Sequence, residues 1–160
     1  MLSKLEESGL GIMASSKSDE WETPQDLFDK LNAEFHFTLD PCCREYNHKC
    51  DKYFTQEDDG LHKSWLGEVV FCNPPYGKSI GKWVEKCYNE YKENGTTIVM
   101  LIPSRTDTSW FHKYIWHEAT EIRFVEGRLR FINRTFPSWR EDGNFKVSPA
   151  PFPSMIVIYR

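Results

Sequence analysis

Asn73-Pro74-Pro75-Tyr76 is the stretch of this 160-residue chain whose residue types and order point most directly to a reaction. Pro74 and Pro75 lack a backbone N–H and have a fixed φ, so the turn is stiff and presents carbonyls without competing donors. The Asn73 side-chain oxygen and the Pro74 carbonyl can both accept hydrogen bonds. A planar amino group with two N–H donors fits between such acceptors, and Tyr76 offers a flat face beside it. The nitrogen of an aromatic amine is a poor nucleophile because its lone pair is delocalised into the ring. Two acceptors placed for a tetrahedral nitrogen favour the pyramidal form and free that pair, which is electrostatic preorganisation. A four-residue match can also be a plain loop with an Asn cap. Its position at the end of a strand is what argues for a site.

The neighbouring elements must place that turn. Glu68 to Cys72 reads as a compact strand that stops at the two prolines. Upstream, Thr23 looks like an N-cap and Pro24 a first helical position, with Leu27, Phe28, Leu31 and Phe35 at helical spacing; this predicts a helix over 24–34. Phe35 to Leu39 reads as a short strand ended by Asp40-Pro41. Asp40 then stands at the carboxyl end of a strand, the edge where ligands bind in an open α/β sheet. Tyr53-Phe54 reads as a short strand and Asp58-Asp59-Gly60-Leu61 as a turn. Ile80 to Glu93 has helical periodicity, with Gly95 as a left-handed cap. Thr96 to Ile102 is the most apolar strand, ended by Pro103. Then follow a helix over 108–117, strands over 121–125 and 129–132, a loop over 133–153, and a closing strand over 154–159. The fold class is α/β: a mixed sheet with a parallel core, antiparallel C-terminal strands and helices on both faces.

Composition bounds the rest. Apolar residues make up 39% of the chain, enough for one core. Aromatics reach 15%, which fits an aromatic core and also the stacking of flat ligands. The formal net charge of −4 excludes a generally basic nucleic-acid binder, so any such contact needs a local cluster of Lys and Arg. Residues 1–18 are polar and read as a flexible tail, leaving 19–160 as a single catalytic domain. No apolar run is long enough to span a bilayer, and no signal peptide is recognisable. Five cysteines without a secretion signal predict reduced thiols in a cytoplasm. Cys42, Cys43, His48 and Cys50 have poor spacing for zinc, so no metal is expected.

Asn73-Pro74-Pro75-Tyr76 resembles the catalytic signature of amino-group methyltransferases that use S-adenosylmethionine. Trp21-Glu22-Thr23-Pro24, Leu39-Asp40, Asp59-Gly60-Leu61, Trp65, Leu101-Ile102-Pro103, Trp110-Phe111 and Gly127-Arg128 extend the likeness. Together, Trp21 to about Phe131 resembles the small phage-type DNA N6-adenine methyltransferases. The resemblance implies a compact class I, Rossmann-like sheet, S-adenosylmethionine as methyl donor and double-stranded DNA as substrate. It also implies the bacterial host cytoplasm as location if the chain is phage-encoded. By the same resemblance Trp21, Thr23 and Pro24 belong to the cofactor site, where Thr23 meets the methionine carboxylate. Asp40 lies near the methionine part, and Asp59, or its neighbour Asp58, takes the cofactor's adenine amino group. The target adenine would be flipped out of the duplex onto Tyr76.

One departure stands out. Pro41-Cys42-Cys43 replaces the Gly-rich turn usual after the first strand. The segment from Asp40 to Asp59 is also short, and Glu45, Asp51 and Glu57 stand as unranked candidates for the ribose hydroxyls. For phosphates, Lys78, Arg105 and Arg128 are preferred among the basic residues around the turn and along 121–140. The same motif also serves RNA adenine and protein glutamine methyltransferases. An inactive nucleic-acid-binding relative is the reading from another class.

Overall fold

The computed structural model describes residues 20–132 and 149–160. Among these, one six-stranded sheet is built from β1 (Leu39–Cys43), β2 (Lys52–Thr55), β3 (Val69–Cys72), β4 (Thr97–Pro103), β5 (Glu121–Phe124) and β6 (Ser154–Tyr159). Their order is β2-β1-β3-β4-β6-β5. The first four run parallel, and β6 is antiparallel to β4 and β5 on either side of it. The centre lies at β4 and β6, whose Thr-Ile-Val-Met-Leu-Ile-Pro and Ser-Met-Ile-Val-Ile-Tyr runs are buried almost throughout. Continuous rather than alternating apolar sequence is what a strand covered on both faces requires.

Among the described residues three α-helices accompany the sheet: α1 (Gln25–Phe35), α2 (Ile80–Asn94) and α3 (Ser109–Tyr114). Successive residues of β3 face opposite sides. Phe71 meets Phe28 of α1 with ring centroids 5.2 Å apart, while Cys72 sits against Cys87 of α2. The sheet is therefore covered on both faces, as its sequence pattern requires. Gly95 caps α2 at φ 67°, its N–H bonded to the Tyr91 carbonyl at 2.9 Å.

Four expectations shift. α1 starts at Gln25, and the Thr23 hydroxyl caps nothing: it accepts from the Asn73 side chain instead. The strand expected over 35–39 is displaced, since Phe35 still belongs to α1 and β1 begins at Leu39. Pro41 does not end β1. Without an N–H it limits pairing with β3 to Leu39↔Val70 and forces an irregularity against β2 between Asp40 and Cys43. Finally, 129–132 is not a strand: Ile132 forms an isolated bridge with Glu22, and the Leu129 carbonyl accepts from the Ala150 N–H at 2.8 Å. Most of the expected loop over 133–153 lies outside the described residues.

β1 and β2 are parallel neighbours joined across 44–51 without a helix. Asp40 holds this short crossover. Its carboxylate accepts from the backbone N–H of Lys49 at 3.0 Å and of Cys42 at 3.4 Å. Asn47 adds a bond from the Arg44 N–H at 2.7 Å. A short turn over Gly60–His62 then closes onto β1. A Cβ on Gly60 would stand 2.1 Å from the Pro41 carbonyl oxygen and 3.3 Å from the Trp83 ring. The indole N–H of buried Trp65 also donates to the Gly60 carbonyl at 3.1 Å. Backbone cannot yield as a flexible side chain does, so Gly60→Ala should lower the melting temperature by roughly 10 °C. A calorimetric scan beside wild type checks this, and an unchanged melting temperature would refute the close packing.

Candidate active site

A cleft of about 510 Å³ opens at the carboxyl ends of β1, β2 and β3. One wall is the arm Glu20 to Thr23, the other the β1–β2 crossover, and the floor includes Gly60, Trp83 and Ser79. Asn73, Pro74 and Pro75 reach it from the end of β3. The charged lining residues are Glu20, Glu22, Asp40 and Asp59 against Arg44 and Lys49, an excess of acid that suits a cationic ligand.

Asn73 is fixed with unusual completeness. Its side-chain N–H₂ donates to the Trp21 carbonyl at 2.6 Å and to the Thr23 hydroxyl at 2.9 Å. A carbonyl can only accept, so these bonds decide which end of the amide is which. The Asn73 Oδ1 is left buried with no hydrogen-bond partner among the described residues. An orphaned buried acceptor costs about 1–3 kcal/mol. The fold keeps it at the edge of the cleft, where an N–H donor would satisfy it. Thr23, itself buried, accepts from Asn73 and so keeps its own hydroxyl proton to donate onward.

Asp40 lies at the cleft wall, 4% exposed. Burial raises its pKa to about 6, partly opposed by its bonds from the Lys49 and Cys42 N–H groups. A carboxylate has about four lone-pair sites. Two are used by backbone, which leaves capacity for an ammonium from the cleft.

Asp59 also lines the cleft, at φ 56°, a left-handed conformation that Asp tolerates better than most residues. Its carboxylate pairs with His62 at 2.6 Å. The alternative, Asp58, is committed elsewhere: it accepts from the Thr55 N–H at 2.9 Å and hydroxyl at 3.0 Å. None of Glu45, Asp51 and Glu57 lines the cleft, and all three are exposed. The groups at the carboxyl end of β2 are Thr55 and Gln56. Their signal in the sequence was only their place just after Tyr53-Phe54.

The four residues Asn73 to Tyr76 do not all face the cleft. Tyr76 is buried and outside its lining, with its hydroxyl donating to the Leu101 carbonyl at 2.9 Å. Its ring packs edge-on against Phe131 and Phe152 at 6.1 and 5.5 Å, and Trp21 contacts both of those rings. Trp21 lines the cleft, whereas Pro24 does not. Lys78, Arg105 and Arg128 are exposed and outside the lining. Arg123 is committed to Glu34 and Glu121, both at 2.7 Å, so the basic character of 121–140 is less available than its composition suggests. Arg134 and Arg140 lie outside the described residues. The cysteines do not converge: Cys42 faces Cys72 at 3.7 Å, and Cys43 faces the Phe54 carbonyl at 3.5 Å.

The family model described as DNA N-6-adenine-methyltransferase (Dam) matches residues 12–160. The chain belongs to this family. A Dam relative from Escherichia phage T1, named DNA N-6-adenine-methyltransferase, is 30% identical over 131 residues, covering 72% of this chain and 54% of the phage protein. The chain thus spans about half the length of that relative. YfdM of Escherichia coli K12, named as a candidate methyltransferase, is 38% identical over 65 residues, 36% of this chain and 71% of YfdM. Among solved structures, a candidate RNA methyltransferase from Pyrococcus horikoshii superposes with a TM-score of 0.53 at 9% identity, over 89% of this chain and 86% of that one. That likeness bears on the fold, a Rossmann-like methyltransferase sheet. Among the described residues no helix is long and apolar enough to cross a membrane, and no group of three or more His, Cys, Asp or Glu is placed to hold a metal ion.

Proposed function

We propose that residues 19–160 form one catalytic domain that transfers a methyl group from S-adenosylmethionine to the N6 amino group of adenine in double-stranded DNA. The observation that carries this is the Asn73 amide, anchored through both its N–H donors with Oδ1 buried and unpartnered. Family membership and the name of the phage relative support the adenine and the DNA.

The cleft fits the cofactor by charge and by donor set. Asp40 would hold the methionine ammonium, and the Thr23 hydroxyl would donate to the carboxylate beside Trp21. Asp59 would accept from the adenine amino group of the cofactor. When bound, S-adenosylmethionine supplies an electrophilic methyl group on a sulfonium centre. Asn73 Oδ1 and the Pro74 carbonyl accept from the target amine and favour its pyramidal, nucleophilic form. As positive charge develops on that nitrogen, both acceptors bind it more tightly than the planar ground state. The released proton passes to water, so no strong base is needed.

A target adenine must leave the duplex, at a cost of a few kcal/mol. Stacking on Tyr76 further requires Phe131 or Phe152 to move aside, because both now pack on its ring. Lys78, Arg105 and Arg128 would contact phosphates, and the cytoplasm is the compartment where such a substrate is met. Labelled-methyl transfer with DNA, RNA and protein offered separately tests the substrate class. Label in adenine-containing duplex DNA alone is expected. Incorporation only into RNA or only into protein would overturn the DNA assignment, and failure to bind the cofactor would point to an inactive nucleic-acid-binding relative.

A further inference from the structure

We propose that Arg105 is a positioning residue that holds the catalytic turn through the Tyr76 carbonyl and offers its remaining donors to the target nucleotide's phosphate. The phosphate half of this rests on the DNA reading above.

The need for an outside anchor follows from the turn itself. Pro74 and Pro75 have no N–H, so this stretch lacks two of the backbone donors that ordinarily pin a turn. The position of the Pro74 carbonyl is therefore set by what holds the residues on either side. Before the prolines, Asn73 is tied to Trp21 and Thr23. After them, Tyr76 is tied at both ends to β4 and its extension. Its hydroxyl donates to Leu101, and its carbonyl accepts from Arg105 Nη1 at 3.3 Å.

Arg105 is itself well held. Its N–H donates to the Pro103 carbonyl at 2.9 Å, and its carbonyl accepts from the Thr108 hydroxyl at 2.8 Å. Thr108 is the N-cap of α3, accepting from the Phe111 N–H at 3.3 Å. The preceding Ser104 N–H donates to Pro153 at 2.9 Å. The chain from α3 through Arg105 to Tyr76 is thus one hydrogen-bonded series ending on the catalytic turn.

A guanidinium has five donors in a rigid fork, and the bond to Tyr76 uses one. Arg44, Arg123 and Arg160 each face a carboxylate. Among the described residues Arg105 has no such ion pair, and it is exposed. Its open donors suit the anionic oxygen of a nucleic-acid phosphate, and one residue would then couple phosphate capture to the geometry of the turn.

The test compares Arg105→Ala and Arg105→Lys with wild type in three measurements on the full chain: single-turnover methyl transfer at saturating duplex DNA, DNA affinity against salt, and S-adenosylmethionine affinity by calorimetry. For Arg105→Ala the saturated rate should fall about 10–100-fold, with cofactor affinity within roughly twofold. The slope of log affinity against log salt should shrink by about 1. Arg105→Lys should restore the slope but not the rate, since one ammonium cannot serve carbonyl and phosphate as a fork does. An unchanged saturated rate in Arg105→Ala would overturn the positioning role and leave a phosphate contact. Full rate rescue by Lys would also overturn it, by showing that charge alone matters. A wild-type protein that binds cofactor yet methylates no DNA would overturn the DNA reading and the phosphate half together, an outcome distinct from an active wild type with an unaffected variant.

Discussion

Asn73→Ala should reduce turnover by about 10²–10³-fold, the usual cost of losing one preorganised group that meets developing charge. The substitution removes the buried Oδ1 acceptor, and this part of the loss belongs to the transition state. It also removes the N–H₂ that holds the Trp21 carbonyl and the Thr23 hydroxyl. Thr23 sits on the arm that forms one wall of the cleft. S-adenosylmethionine affinity should therefore weaken, but only several-fold, because the Thr23 backbone is unaltered. Single-turnover rates and calorimetric titration separate the two effects. A variant with near-wild-type turnover at saturating cofactor would remove Asn73 from the chemistry.

Asp40→Asn should move affinity and stability in opposite directions. Among the described residues Asp40 is the buried carboxylate of the cleft wall, and replacing it should weaken S-adenosylmethionine binding by about 100-fold, the scale of one charged hydrogen bond of about 3 kcal/mol. Stability follows a different sign. Burial raises the Asp40 pKa from 3.8 to about 6, so the folded state holds a proton more readily than the unfolded state between those values. Wild-type stability then falls as pH rises through this window, by an order of magnitude of about 3 kcal/mol once the group is ionised. Asn carries no such penalty, although it leaves one of the Lys49 and Cys42 N–H groups less well paired, at about 1 kcal/mol. The variant should melt a few degrees higher than wild type at pH 7.5, with the gain vanishing below about pH 4. Wild-type cofactor affinity should decline below about pH 6, where the free carboxylate takes up its proton, and the variant should show no such decline. A pH-independent wild-type affinity between pH 5 and 8 would contradict the role given to Asp40.

Much of this molecule was legible from local chemistry. β4, β6 and β3 announced themselves as β-branched or apolar runs bounded by Pro or Gly, and α2 by its periodicity and Gly95. The turn at Asn73 to Tyr76 was legible for the same reason, since two prolines after a buried strand leave few conformations. What failed was information carried by distant residues. Thr23 has the composition of a helix cap, yet its hydroxyl serves Asn73, fifty positions away. The same side chain suits either role, and only the tertiary contact decides. Pro41 is a sound strand breaker on the β3 side, but pairing with β2 resumes at Cys43↔Thr55. The three acids weighed for the ribose are exposed: Glu45 and Asp51 lie on a crossover too short to bring them inward, and Glu57 lies on the turn after β2. Tyr76 carried the right residue type for a stacking platform, but nothing local revealed that Phe131 and Phe152 would cover it. Gly60 looked like an ordinary turn glycine, and its real constraint is the Pro41 carbonyl against which it packs.

The decisive question is which nitrogen, on which polymer, meets the Asn73 oxygen and the Pro74 carbonyl. Duplex DNA lacking adenine methylation can be incubated with the protein and isotopically labelled S-adenosylmethionine, digested to nucleosides and read by mass spectrometry. The label should appear in N6-methyldeoxyadenosine, and it should disappear with Asn73→Ala. Label in a methylated cytosine, or in no nucleoside while the same protein methylates RNA or a glutamine side chain, would contradict the proposed function.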